Sequence, residues 1–255
     1  MAKASKRFLV SSSLTDWNQR EPRTVFLTPK ETHHLRHVLR IEEGSSCLLM
    51  DREGNEFVSR IKRFLPDETA EAELIEPVLS KQADALELTV AQAIPQDRKM
   101  DVIVEKSAEI GIYELIPLVT ERTIPRIQTE KFEKMRLRWK RITEQTLKQS
   151  RLNRPPRISP LTTFQDLCKR ASGYDQAFLC QPSSDAKPLR ELHLNGASHQ
   201  IRRLLLAIGP EGGFSQTEAK QAETAGMQII QLGRGILKTD TAFVAASSFF
   251  RFMYS

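Results

Sequence analysis

Between residues 204 and 253 the chain reads strand, glycine loop, helix, and then strand, glycine loop, helix again. An apolar run at 204–208 ends in Ile208-Gly209-Pro210-Glu211-Gly212-Gly213-Phe214-Ser215. A second, at 227–232, runs into Leu232-Gly233-Arg234-Gly235-Ile236-Leu237-Lys238-Thr239-Asp240-Thr241-Ala242. Strands joined through a helix pair in parallel, so the pattern commits this region to an α/β sheet. In such sheets ligands bind beyond the carboxyl ends of the strands, where both glycine segments fall. Glycine permits φ > 0 and lets a ligand approach the main chain closely. Two readings stand at this point. The segments hold a small ligand by backbone groups, or they only make tight turns between packed elements.

The same alternation starts earlier. Residues 86–93 read as a strand and 98–110 as a helix with Met100, Ile103, Ser107 and Ile110 on one face. Asp97 is the candidate N-cap and Gly111 the candidate stop. Residues 115–119 complete a parallel β-α-β unit. Residues 129–150 form a long helix with Phe132, Met135, Trp139 and Ile142 on one stripe. A short strand follows at 177–180. Ser215-Gln216-Thr217-Glu218 is a capping box, so a helix starts there and Gly226 ends it. Residues 240–253 form the last helix. Upstream the character differs. Short strand-like runs at 47–50, 57–64 and 70–75, with a turn at 51–55, read as a small β-barrel with one helix near 30–38. Ala70-Glu71-Ala72-Glu73-Leu74 alternates as a half-buried strand does. The polar stretch 80–84 is the linker, giving units of 1–80 and 81–255.

Charge is unevenly spread. The chain carries +6 overall, yet residues 122–157 hold twelve Lys/Arg against three Glu, a net of +9 that leaves −3 for the rest. A concentrated basic segment favours a polyanion such as RNA or DNA, the alternative being a solvated helix face. Three cysteines (Cys47, Cys168, Cys180) lie far apart, without metal or disulfide spacing, and read as reduced thiols of a cytoplasmic protein. No signal-peptide stretch opens the chain, and the apolar run 241–254 is too short to span a bilayer, so no membrane role is expected.

Several nucleotide and metal motifs are excluded. No GxxxxGK[ST] is present, so there is no P-loop. Gly233-Arg234-Gly235-Ile236-Leu237-Lys238 opens like GxGxxG but ends in lysine, and the chain stops before the usual acidic partner. His33 and His37 sit i, i+4 without HExxH or a third ligand type, so no metal site is expected.

The quoted segments resemble the bacterial 16S ribosomal RNA uridine-N3 methyltransferases, the RsmE-type family of the SPOUT class. Three further blocks share the resemblance. They are His34-Leu35-Arg36-His37-Val38-Leu39-Arg40 with Gly44; Asp97-Arg98-Lys99-Met100 with Glu105 to Gly111 and Pro117; and Arg138-Trp139, Ile142, Gln149-Ser150, Asn153-Arg154 and Pro156. The resemblance implies a mostly parallel sheet tied into a C-terminal trefoil knot, preceded by a PUA-like β-barrel. It implies S-adenosyl-L-methionine as cofactor, held by Leu179, Gly209, Glu211, Gly212, Gly213, Leu232, Gly233, Ile236, Leu237, Lys238, Thr241 and Ala242. It also implies a homodimer acting on 16S ribosomal RNA within the small ribosomal subunit.

Some positions depart from the family. Arg151-Leu152 stands where Gly-Arg is usual. Arg234-Gly235 replaces Pro-Arg, Lys238 replaces Arg, and Asp240 replaces Glu. A lysine lacks the planar fork of an arginine. Methylation at N3 needs the imino proton removed, for which Glu211 and Asp240 are the candidate bases, Asp240 with the rival role of capping the last helix. Arg36, Arg40, Arg98, Lys99, Arg122, Arg151 and Arg154 are the candidate phosphate contacts. A non-catalytic RNA-binding protein of the same fold is the alternative, as is a SPOUT enzyme acting at another RNA site.

Overall fold

A computed structural model describes residues 6–15, 23–51, 54–78, 86–96, 99–124, 127–150, 154–182, 186–189, 192 and 201–254. The expected linker at 80–84, the Asp97 cap, and Arg98, Arg151, Leu152 and Asn153 lie outside these residues. The chain divides into two compact units: residues 1–83 with 147–155, and residues 84–146 with 156–255.

The first unit contains β1 (Arg7–Leu9), β2 (Thr24–Leu27), α1 (Pro29–His33), β3 (Ser46–Met50), β4 (Glu56–Phe64) and β5 (Ala70–Pro77). They form a five-stranded sheet in the order β1-β3-β4-β5-β2. Register shifts between Val58 and Ser59 and between Ile61 and Arg63 bend the long β4 against β5, as extra residues in a ladder do. The sheet curls around a core that includes Phe8, Leu35, Leu49 and Ile61. Where a barrel is expected, the described residues form a curled sheet, with no hydrogen-bonded ladder between β1 and β2 among them. The expected helix near 30–38 is α1 followed by a single π-helical turn, His34–Val38. The expected alternation holds: Ala70, Ala72 and Leu74 enter the core, while Glu71 on the opposite face is covered by the exposed side chains of its partners Arg63 and Lys62.

The second unit comprises β6 (Glu87–Ala93), α2 (Lys99–Ile110), β7 (Glu114–Val119), α3 (Thr129–Ser150), β8 (Arg157–Ile158), β9 (Thr162–Thr163), α4 (Phe164–Ala171), β10 (Gln176–Cys180), β11 (Lys187–Pro188), β12 (Arg203–Ile208), α5 (Gln216–Thr224), β13 (Gln228–Gln231) and α6 (Thr239–Met253), α3 running on into residues of the first unit. Its sheet has the order β11-β13-β10-β12-β6-β7-β8, with β9 also paired to β7, and every pairing is parallel. Parallel strands are covered on both faces, which explains their unbroken apolar runs. Leu88, Val90, Leu204, Leu206, Ile208 and Phe178 pack one way, against Met100, Ile103, Trp139, Phe243 and Phe250 of α2, α3 and α6. Ala91, Ile116, Leu179, Leu205 and Ala207 pack the other way, against Phe164, Leu167 and Ala222 of α4 and α5. The result is a three-layer α/β unit.

Because all strands run the same way, the carboxyl ends of β10, β12 and β13 meet at one edge. No helix among the described residues is long and apolar enough to cross a membrane.

Candidate active site

At that edge the chain after β12 makes a loop whose shape depends on missing side chains. A Cβ on Gly209 would lie 3.1 Å from the Gly213 backbone, tighter than about nine in ten real Cβ contacts, so the loop would have to give by a few tenths of an ångström. Gly213 has φ +67° and its N–H donates to Pro210 O at 2.9 Å, closing the turn. Phe214 is buried and packs its ring 5.4 Å from that of Phe164. Ser215 then caps α5, and the capping box with Glu218 is complete. The second carboxylate oxygen of the buried Glu218 accepts from Glu121 N at 2.9 Å, tying the chain after β7 to this loop.

Two further ties close the site. Thr239 Oγ1, at the start of α6, donates to Gly209 O at 2.8 Å and accepts from Gln92 Nε2 at 2.9 Å. Gln92 also donates to Ala93 O at 2.8 Å. One buried hydroxyl therefore joins the end of β6, the loop after β12 and the last helix. From the other side, Gln181 Oε1 accepts from Phe214 N at 3.1 Å, and Arg122 Nη1 donates to Gly212 O at 2.6 Å.

These segments enclose a cavity of about 290 Å³. Its walls take Gly209, Glu211, Gly212, Gly213, Leu232, Gly233, Ile236, Leu237 and Ala242 from the expected set. Cys180, Gln181, Pro182, Thr239, Gly235 and Arg122 also line it. Apolar side chains with open glycine backbone suit a ligand carrying a flat heterocycle plus groups that bond to main chain. The donor set fits S-adenosylmethionine in that sense.

Other expected residues stand elsewhere. Leu179 is fully buried in the core facing α4 and α5, because successive strand residues face opposite sides. Its neighbour Cys180 is the one at the cavity, its thiol pushed upward by burial. Lys238 and Thr241 are exposed and do not line the cavity. Lys238, not Asp240, is the N-cap position of α6, and it caps without a side-chain bond. Asp240 lies inside the first turn, with Oδ1 enclosed and without a hydrogen-bond partner among the described residues.

Glu211 is held by Lys99 Nζ at 2.9 Å and by Gln96 N at 3.4 Å. Partial burial pushes its carboxyl upward, but the bonds from Lys99 and the backbone outweigh this and hold it below its ordinary value. It is thus an ion-paired carboxylate at neutral pH. Of the expected phosphate contacts, Lys99 is engaged with Glu211 and Arg122 with Gly212 O. Arg36 is exposed with its guanidinium 5.1 Å from the Phe64 ring centre. Arg40 is exposed at φ +52°, and Arg154 is exposed.

The residues that sequence reasoning missed have a readable cause. Gln181 and Pro182 follow the carboxyl end of a parallel strand, a position that marks ligand contacts in general. Thr239 carries no local signal, since its partner Gly209 is thirty residues away.

Residues 82–251 match a family model described as an RNA methyltransferase domain, and residues 27–75 match one described as an RNA methyltransferase PUA domain. Fold and cavity together therefore define an RNA methyltransferase. The chain is 32% identical over 220 residues to the ribosomal RNA small subunit methyltransferase E of Synechocystis sp., covering 86% of this chain and 70% of that one. It is 26% identical over 241 residues to the Bacillus subtilis enzyme of the same name, covering 92% of each. The crystal structure of a ribosomal RNA small subunit methyltransferase E from Neisseria gonorrhoeae, bound to S-adenosyl methionine, matches with a TM-score of 0.81 at 26% identity over 98% of both chains. The chain belongs to the ribosomal RNA small subunit methyltransferase E family.

Proposed function

We propose that this protein transfers the methyl group of S-adenosyl-L-methionine to N3 of a uridine in 16S ribosomal RNA. The observation that carries the reading is the cavity, which is built from the two glycine segments that also carry the family resemblance. When bound there, S-adenosylmethionine supplies the methyl electrophile. The chain supplies orientation, worth about 7–11 kcal/mol at most. Gly209, Gly212, Gly213 and Gly233 offer backbone to the cofactor, while Leu232, Ile236, Leu237 and Ala242 exclude water from it. Leu179, Lys238 and Thr241 belong to the set by resemblance alone, acting from behind or beside the cavity wall.

The imino proton must leave N3 as the new N–C bond forms, and Glu211 and Asp240 are the nearby carboxylates that accept protons. Glu211 is the better placed, since it lines the cavity. Its pairing with Lys99 makes it a weaker base than a free carboxylate and favours a second role in holding the loop. Residues 1–80 act as the RNA-binding PUA-like unit and 81–255 as the knotted SPOUT-type catalytic unit. Arg36, Arg40, Arg98, Lys99, Arg122, Arg151 and Arg154 face phosphates. The enzyme works in the cytoplasm as a homodimer on the small ribosomal subunit.

Mass spectrometry of 16S ribosomal RNA from a strain lacking this protein tests the reading. One N3-methyluridine is lost and returns with the wild-type chain. A full complement of that base in the deletion strain overturns it.

A further inference from the structure

Helix α3 sorts its charges by face. Lys131, Lys134, Arg138 and Arg141 follow one another at i, i+3, i+7 and i+10, which aligns them along one flank, and Gln145 continues the line. All four are exposed. Of the acids of α3, Glu133 and Glu144 fall on the other flank with Arg136 and Lys140, where Glu133 pairs with Arg136 at 2.8 Å. Glu130 stands at the N-terminal end of the basic flank, four residues before Lys134 and in the first turn, where a negative charge suits the helix terminus. Lys131, Lys134 and Arg141 form no ion pair among the described residues, while Arg138 is held by Asp101 at 2.6 Å. The packed stripe of Phe132 and Trp139 fixes the rotation of the helix, so the basic flank is presented rigidly. Beside it Leu137 stands 60% exposed, within one turn of both Lys134 and Arg141.

A helix that only needs solubility mixes its signs. This one, after Glu130 in its first turn, keeps a single sign along the line from Lys131 to Arg141, with one cation per turn over about 15 Å. We propose that the Lys131–Lys134–Arg138–Arg141 flank of α3 is a phosphate rail for the RNA substrate, with Leu137 offering an apolar contact to a sugar or base. The inference rests on the proposed RNA methyltransferase activity and adds the surface that holds the polymer. Such contacts position RNA without reading its sequence and make binding steeply salt-dependent.

The test compares two sets of exposed substitutions in the full-length protein. One is K131Q/K134Q/R141Q; the control is R136Q/K140Q on the other flank. Binding to a transcribed 16S ribosomal RNA is measured across salt concentrations, and S-adenosylmethionine binding by calorimetry. The rail variant flattens the slope of log affinity against log salt by about 2, near 0.7 for each phosphate that is no longer neutralised. Between about 50 and 200 mM salt its affinity therefore falls about sixteen-fold less than that of the wild type. The control changes the slope by less than about half a unit, and all variants bind the cofactor as the wild type does. An unchanged slope in the rail variant, or an equal flattening in the control, overturns the rail. A wild type that binds RNA with this pattern yet transfers no methyl group overturns the enzymatic reading and leaves the rail standing.

Discussion

Thr239→Val tests the architecture of the cavity most directly. The substitution replaces a buried hydroxyl with a methyl group of similar size. It removes the donor to Gly209 O and one of the two acceptors of Gln92 Nε2, which keeps its bond to Ala93 O. The main effect is thus one buried carbonyl left without its donor, worth about 1–3 kcal/mol. At about 2–4 °C per kcal/mol for a chain of this size, a central value of about 2 kcal/mol lowers the melting temperature by about 4–8 °C. The same bond holds the loop that carries Gly209 against the last helix, so ligand binding must now order that loop. We expect S-adenosylmethionine affinity to fall about tenfold, equivalent to about 1.4 kcal/mol. Thermal unfolding and calorimetric titration measure the two effects, and Thr239→Ser, which keeps the hydroxyl, should restore both. A Thr239→Val protein with wild-type melting temperature and affinity would refute the idea that this hydroxyl closes the site.

Gly209→Ala places a methyl group 3.1 Å from the Gly213 backbone, so the loop must shift by a few tenths of an ångström, and cofactor binding in calorimetry should weaken while circular dichroism stays native. Glu211→Gln should keep cofactor binding but slow methylation; unchanged turnover assigns the carboxylate to holding the loop alone. Because the Glu211 pKa is lowered in the folded protein, its pairing with Lys99 is intact above the ordinary carboxylate value of 4.5 and is lost as pH falls below it. The stability advantage of the wild type over Glu211→Gln should therefore be full at neutral pH and shrink on acidification, so that the two proteins converge below about 4.5. Burial pushes the Cys47 thiol up to about 12 and raises Cys180 as well. Iodoacetamide at neutral pH should spare both in the native protein and label them after unfolding, as mass mapping would show.

What could be read in advance followed the range of each signal. The long helix at 129–150 was legible to the residue, because six turns of apolar periodicity outvote any local ambiguity. The Ser215–Glu218 capping box was legible because its chemistry is local. α4 was missed although Thr163 and Asp166 stand in the same spacing, and Thr163 does cap it. β1, β2 and the two-residue β8, β9 and β11 are too short to carry a period. The glycine segments announced the site, but not the strand that completes it. Gln181 arrives because β10 lies between β12 and β13, and sheet order is set by packing between distant parts of the chain. The same limit hid that Leu179 faces α4 and α5 while its neighbour Cys180 lines the cavity, and that the N-cap position of α6 falls at Lys238.

The position of β6 in the sheet has a consequence for synthesis. It is the first strand of its unit to leave the ribosome, yet one of its two neighbours, β12, begins at Arg203, more than a hundred residues later. Until that strand is made, one edge of β6 presents its unpaired N–H and C=O groups along an apolar strand, an open template for other chains. Distant parallel pairings of this kind also form slowly. The newborn protein therefore passes through a long interval in which its future centre is an exposed margin. A chaperone that shields apolar edges during translation should raise its soluble yield more than a stabilising mutation in the finished fold.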